Sequence, residues 1–310
     1  MSLQLIFLGT AGGVPTPKRG LPAIVLRRKD EQLVFDCGEG AQRQMSIAKT
    51  GFHKITKVFI THMHGDHVLG LPGLLQTMAM LDRQRKLDVY GPQGIKAFLQ
   101  GIRETVPFVL TFPIEIHEIE KEGVISKEKE YSVQAMWSNH AVASLAYAFV
   151  ERPRPGRFHP EKAKALGLEE GPLWSRLQQG HKIKLPSGET VKPEDVMGGN
   201  RPGRKIVYVG DTRPFKRLAR FAAGADVLIH DSTLDDELAE RAKTYGHSTA
   251  SQAARDAKKA KVKQLVLTHI SSRYSEPDIL LKQARKIFKN TLVAEDFMRE
   301  EIPFQTREVD

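Results

Sequence analysis

The stretch Thr61-His62-Met63-His64-Gly65-Asp66-His67 places four side chains able to bind a metal ion within six positions. Imidazole nitrogen and carboxylate oxygen are ligands of borderline cations such as zinc, usually about four to an ion. The run holds more ligands than one tetrahedron takes. Its alternation aims His62 and His64 at one ion and Asp66 and His67 at a second. An apolar β-type run at 57–60 precedes it. A helical stripe follows over 68–81: Leu69, Leu71, Leu74, Leu75, Met78 and Leu81. That spacing is core packing. A strand feeding ligands into a glycine-bearing turn demands a fold whose other strand ends supply the rest of the site.

Three later β-runs do the same. Residues 131–137 lead into Ser138-Asn139-His140, 205–209 into Gly210-Asp211-Thr212, and 264–267 into Thr268-His269. Strands that each end in His or Asp gather ligands at one edge of sheets, where α/β proteins place their sites. We expect His62, His64 and His140 on one ion, Asp66, His67 and His269 on the other, and Asp211 between them. No cysteine joins the set, as in catalytic rather than closed structural sites. Two ions about 3.5–4 Å apart can share a hydroxide and clamp a phosphoryl oxygen. Asp66 is then both a ligand and a candidate to orient or deprotonate the attacking water. His247, paired with a carboxylate such as Asp231, is the donor to a leaving alkoxide, because histidine titrates near neutrality.

The rest of the chain reads as an alternation of short strands and helices. Residues 3–8 end at Gly9-Thr10-Ala11-Gly12-Gly13, a turn whose N–H groups are expected to cradle a phosphate or to make a simple connection. Strands are predicted at 23–28, 32–36 and 87–90, and helices at 41–49, 95–105, 234–243 and 277–288. Another helix runs to about 260 with Ser248 or Thr249 as cap, and a final strand spans 292–294. No stretch approaches the roughly 18 apolar residues of a membrane span. The N-terminus reads as a strand and not a signal peptide. Cys37 is the only cysteine, which excludes an intrachain disulfide and fits a reducing cytoplasm.

A net charge of +10 favours a polyanionic partner. One segment concentrates the oddities. Thirteen of the fifty residues from 151 to 200 are Pro or Gly, where the 310-residue chain has 25 Gly and 17 Pro. The segment also carries Arg152, Arg154, Arg157, Lys162, Lys164 and Arg176, with Phe158 and Trp174 interleaved. We expect a mobile basic arm, inserted in an otherwise single domain over 1–310, that grips nucleic acid by phosphate contact and aromatic packing.

The His/Asp run resembles the signature of the metallo-β-lactamase superfamily. Within it, the chain resembles the short form of the ribonuclease Z family of tRNA 3′-processing endonucleases. The motifs that carry this are Leu8-Gly9-Thr10, Asp36-Cys37-Gly38-Glu39-Gly40 with Gln42-Arg43-Gln44, Gly210-Asp211-Thr212-Arg213-Pro214, His247-Ser248-Thr249 and Thr268-His269-Ile270-Ser271-Ser272-Arg273-Tyr274. The resemblance implies an α/β fold, the αββα sandwich of two mixed sheets flanked by helices. It implies a homodimer, and two zinc ions per subunit on His62, His64, Asp66, His67, His140, Asp211 and His269, with manganese or iron also compatible with these ligands. Asp66 would be the general base, His247 the proton donor, and Asp231, Thr10, Ser271 and Arg273 support or substrate contacts. The implied substrate is precursor tRNA, cut after the discriminator base, and the arm around Gly171-Pro172 would grip its elbow from the opposite subunit. Two motifs depart from the family. Its Lys/Arg-Arg-Asn loop reads Pro17-Lys18-Arg19-Gly20, and its His-Glu reads His230-Asp231. The competing expectation is a small-substrate hydrolase of the same fold, a phosphodiesterase, lactonase or thioesterase, which has no use for a long basic arm.

Overall fold

The alternating run Leu3–Gly9 pairs antiparallel with Ala23–Arg28 in a computed structural model that describes residues 2–304. The pair opens a seven-stranded sheet that continues through Glu31–Phe35, Ile55–Phe59, Leu87–Gly91 and Ile114–Glu118, with Arg299–Glu301 on its other edge. A second seven-stranded sheet runs Thr291–Val293, Gln264–Thr268, Val227–Asp231, Lys205–Val209, Leu145–Glu151, Tyr131–Trp137, Gly123–Lys127. Both mix parallel and antiparallel pairings.

The period-2 alternation of each strand decides the layering. Leu5, Phe7, Phe35 and Phe59 of the first sheet share one core with Tyr147, Phe149, Tyr208 and Ile229 of the second. The intervening Ile6, Leu8, Val34 and Val58 face the other way and pack on Leu71, Leu74, Leu75 and Met78 of the helix Gly70–Met80. Val207, Val209, Leu228 and Leu265 likewise pack on Ala253, Ala254 and Ala257 of Ala250–Ala260 and on Leu280 and Ala284 of Asp278–Arg285. Strands covered on both faces read as nearly continuous apolar runs. The result is the expected αββα sandwich. Helix Ala250–Ala260 starts at Thr249, whose hydroxyl accepts from Gln252 N while the Gln252 side chain accepts from Thr249 N, a reciprocal cap.

Three expectations change in detail. The helix predicted over 68–81 is two pieces, Gly65–Val68 and Gly70–Met80, so Asp66 and His67 already lie in a helical turn. Residues 234–243 form a short 3-10 turn, Asp236–Leu238, before the helix Ala239–Tyr245. The edge strand Arg299–Glu301 has too little apolar pattern to be seen from sequence.

The insertion is a compact unit spanning Glu151–Arg204, with Phe304. Its helices Pro160–Ala165, Pro172–Gln178 and Pro193–Val196 each begin at proline, whose missing N–H costs nothing in the first turn. With the pair Ile183–Lys184 and Thr190–Val191 they enclose Ala163, Leu168, Leu177, Ile183, Val191 and Val196. The expected loose arm is therefore an ordered subdomain with its own core, and its limit is Arg204 rather than 200. Its aromatics belong to that core: Trp174 Nε1 donates to Leu168 O at 3.0 Å, and the Phe158 and Trp174 rings lie 5.1 Å apart. Arg154 is also structural, its guanidinium 3.3 Å from the centre of the Phe304 ring. Arg152, Arg157, Lys162, Lys164 and Arg176 are exposed.

Candidate metal centre

All four ligand-bearing strand ends meet at one edge of the sandwich. His62 Nε2, His64 Nδ1 and His140 Nε2 converge: His64 Nδ1 lies 2.9 Å from His62 Nε2 and 3.3 Å from His140 Nε2. Asp211 Oδ2 faces the same space, 3.6 Å from His62 and 3.8 Å from His140. Its other oxygen, Oδ1, faces a second group, 3.4 Å from His67 Nε2 and 3.1 Å from His269 Nε2. Asp66 Oδ2 completes that group, at 3.5 Å from His67 Nε2 and 3.4 Å from His269 Nε2. Each group offers four ligand atoms, and the Asp211 carboxylate spans the two. The split deduced from the H-x-H-x-D-H spacing is the one the fold makes.

The nitrogens that point away from the cluster are held from behind. His140 Nδ1 donates to Gly246 O at 2.8 Å. His269 Nδ1 meets Thr233 Oγ1 at 2.8 Å, and His62 Nδ1 meets Thr61 Oγ1 at 3.0 Å. His67 Nδ1 donates to Asp36 Oδ2 at 2.8 Å. Asp36 also accepts from Tyr208 OH, Thr61 N and Thr61 Oγ1, at a left-handed backbone position (φ 55°) that turns its strand end toward His67. Such outer partners fix the tautomer and aim of a ligating ring. Close packing sets the glycines: a Cβ on Gly12 would lie 2.7 Å from His269 Nδ1, and one on Gly246 2.6 Å from His140 Nδ1.

These atoms fit a pair of divalent cations. His67 Nε2 and Asp211 Oδ1 are buried and lack any hydrogen-bond partner, although such orphans ordinarily cost about 1–3 kcal/mol. Burial alone would raise the Asp211 carboxyl, but His269, His67 and His62 hold it well below the usual carboxylate range. Asp66 is likewise held low, by His269 and His67 against its own burial. His62 is driven the other way, kept neutral by burial and by the His67 charge beside it. Burial disfavours a charge on His67, but Asp211 and Asp36 push it up, so a cation there would take the place of its proton, whereas the carboxylates and the neutral His62 already stand in the states a metal takes.

His247 sits at the rim. Its Nδ1 lies 3.1 Å from Asp231 Oδ2. Burial disfavours its charge, yet Asp231 and then Asp211 push it up to about 9. Asp231 is itself fixed by Thr212 N and Ser248 N on Oδ2 and by Thr233 N and Oγ1 on Oδ1. The shorter carboxylate of His230-Asp231 thus reaches His247 directly.

Other expected residues fall elsewhere. The glycine-rich turn does not offer free N–H groups to a phosphate: Ala11 N donates to Gly20 O, and Gly13 N donates to Asp66 Oδ2 at 3.0 Å. Thr10 is buried, donating to Asp296 and accepting from an inward-turned Arg19, so it braces this turn. Gly20 N and Gln44 Nε2 also donate to Asp296. Ser271 pairs with Gly12, and exposed Arg273 donates to its hydroxyl. Asp36, Asp296 and His230 carry supporting roles that sequence reasoning missed. Asp36 stood in a strand-end motif, a signal that could have marked it; Asp296 acts only through residues distant in the chain, while His230 donates to the adjacent Asp231 O and faces Asp256. Cys37 is buried, with its thiol pushed up by burial, and is inert.

An αββα sandwich with a His/Asp double cluster at its open edge defines a hydrolase of the metallo-β-lactamase fold. Residues 179–270 match the family described as Beta-lactamase superfamily domain, and residues 3–150 that described as Anti-Pycsar protein Apyc1. The chain is 47% identical to ribonuclease Z of Methanosarcina acetivorans over 98% of its length and 99% of that protein's. It is 45% identical to ribonuclease Z of Archaeoglobus fulgidus over the same shares. The crystal structure of human tRNase Z, short form, superposes with a TM-score of 0.73 at 30% identity, covering 97% of this chain and 100% of that one. The chain belongs to the ribonuclease Z family, and with it to the endoribonucleases.

Proposed function

We propose that the protein is a zinc-dependent endoribonuclease that removes 3′ trailers from precursor tRNA. In this reading it cuts after the discriminator base, leaving a 3′-hydroxyl on the tRNA and a 5′-phosphate on the trailer. The observation that carries it is the pair of four-atom groups bridged by Asp211 with His247 beside them, in a chain whose relatives are named for this activity. His62, His64 and His140 would hold one ion, Asp66, His67 and His269 the other, with Asp211 shared. Bound there, the ions would supply Lewis acidity toward a water and the phosphoryl oxygens.

The chain's own groups do the rest. Asp66 accepts the proton of the attacking water; Gly13 N–H fixes the oxygen that faces the cluster. His247, kept protonated by Asp231, gives its proton to the departing 3′ oxygen of the tRNA. The exposed cations Arg152, Arg157, Lys162, Lys164 and Arg176 of the inserted unit grip the tRNA body as phosphate contacts, in a cytoplasmic homodimer.

Cleavage of an end-labelled precursor tRNA beside a matched linear RNA, before and after chelation, tests this. We expect metal-dependent cutting at one position of the folded tRNA alone, and none in Asp66→Ala. Hydrolysis of small diesters with the tRNA untouched would hand the site to small substrates. Near wild-type turnover in Asp66→Ala would remove Asp66 as the base.

A further inference from the structure

Beside the metal centre, the helices Leu218–Phe221 and Ala250–Ala260 border a groove of about 260 Å³, lined by Pro214, Phe215, Lys216, Ala219, Asp256 and Lys259. Phe215 is four residues past the ligand Asp211, so at most about 14 Å of chain separates them. On the other wall, Lys259 is about 15 Å along the helix axis from the cap Thr249, two residues after His247. One wall of the groove therefore lies within about 14 Å of chain from the site, and the other runs away from it along the helix.

Its charge is one-sided. Lys216, Arg220, Arg255, Lys258 and Lys259 are all exposed. Their neighbours Arg217 and Lys263 are ion-paired with Glu122 and Asp226, but none of these five has a carboxylate partner among the described residues. Arg255, Lys258 and Lys259 stand at i, i+3 and i+4, a like-charge spacing that weakens a helix, and Arg255 lies too far from the helix C-terminus for its dipole to compensate. The one acid, Asp256, turns Oδ2 inward to within 3.7 Å of buried His230 Nε2, whose Nδ1 donates to Asp231 O. Its charge is met from inside the protein and does not oppose an anion in the groove.

We infer that this groove holds the single-stranded 3′ trailer as it leaves the metal centre, with backbone phosphates on Lys216, Lys259 and Lys258 and a base against Phe215. The assignment rests on the 3′-trailer cleavage proposed above. A groove of this volume suits a base or two of a single strand. A half-buried aromatic between lysines is the platform that sequence-independent single-strand binding uses.

The test compares the metal-loaded enzyme on two precursor tRNAs, one with a trailer ending just past the cut and one with about ten trailer nucleotides. The wild type is expected to show a KM roughly tenfold lower for the longer trailer. Its kcat/KM should fall more steeply with salt, by a log–log slope of about 0.7 per phosphate contact. K216E/K259E should erase both differences while cleaving the short-trailer precursor like the wild type, which also reports an intact fold. Equal KM values for the two precursors in the wild type, or an undiminished long-trailer advantage in K216E/K259E, overturns the inference. A wild-type enzyme that cuts neither precursor overturns the tRNA reading and this inference with it.

Discussion

Asp231 shows how much one carboxylate can do without touching a metal. Four donors fix its two oxygens, and Oδ2, already held by Thr212 N and Ser248 N, also takes His247 Nδ1 and favours its protonated form. Asp231→Asn is nearly isosteric, but its amide nitrogen would meet the N–H groups of Thr212 and Ser248 or lose the charge facing His247. A general acid is worth about 10²–10⁴ in rate, so weakening its partner should cost roughly 10–100-fold in kcat. The sign of the pH effect follows from the donor role: activity needs protonated His247 and is lost as pH rises through its value of about 9. In Asp231→Asn that alkaline limb should move down toward the ordinary histidine value of 6.5. A kcat–pH profile of metal-saturated enzyme checks this, and an unmoved limb would remove the pair from proton delivery. At this scale the candidate ligands were legible because each group of them follows the end of a β-run. The braces were not, because Asp36, Asp296 and Gly13 act through partners 31, 286 and 53 residues away.

Among the elements, the inserted unit departs most from its sequence. Its Pro and Gly content reads as looseness, yet Pro160, Pro172 and Pro193 each start a helix and the apolar residues, scattered over short pieces, close a small core. No periodicity announces such a core, since no helix in it exceeds two turns. The boundary matters for any deletion. A cut at 185 would strand Val191 and Val196, whereas Arg154 and Arg201 exchange backbone hydrogen bonds of 2.8 Å and Glu151 pairs with Arg204 at 2.7 Å. Removing 155–200 between these two rungs, with a short Gly-Ser bridge, leaves a closed base. We expect KM for precursor tRNA to rise by more than about tenfold, with hydrolysis of a small phosphodiester unchanged, as the loss of several phosphate contacts requires. Equal loss on both substrates would mean that the unit supports the sandwich and does not grip RNA.

For the molecule as a whole, the metal centre is a clasp. His62, His64, Asp66 and His67 come from the loop and helical turn after a strand of the first sheet, while His140, Asp211 and His269 follow strands of the second. Without cations, the clasp is a cluster of imidazoles and carboxylates with two buried orphan atoms. Cations bound there join the sheets at one edge and satisfy those atoms, and only the folded chain assembles the two groups. Binding to the folded state alone at about a thousand times Kd adds about 4 kcal/mol. For a domain of this size that corresponds to a rise in Tm of roughly 8–16 °C. Chelation should therefore lower Tm by that amount, and adding zinc back should restore it. Asp211→Asn, which removes the shared carboxylate, should start near the chelated value and respond little to chelator or metal. A wild-type Tm indifferent to chelation would mean that the sheets hold each other through the aromatic core alone, and that the ions serve the chemistry without serving the fold.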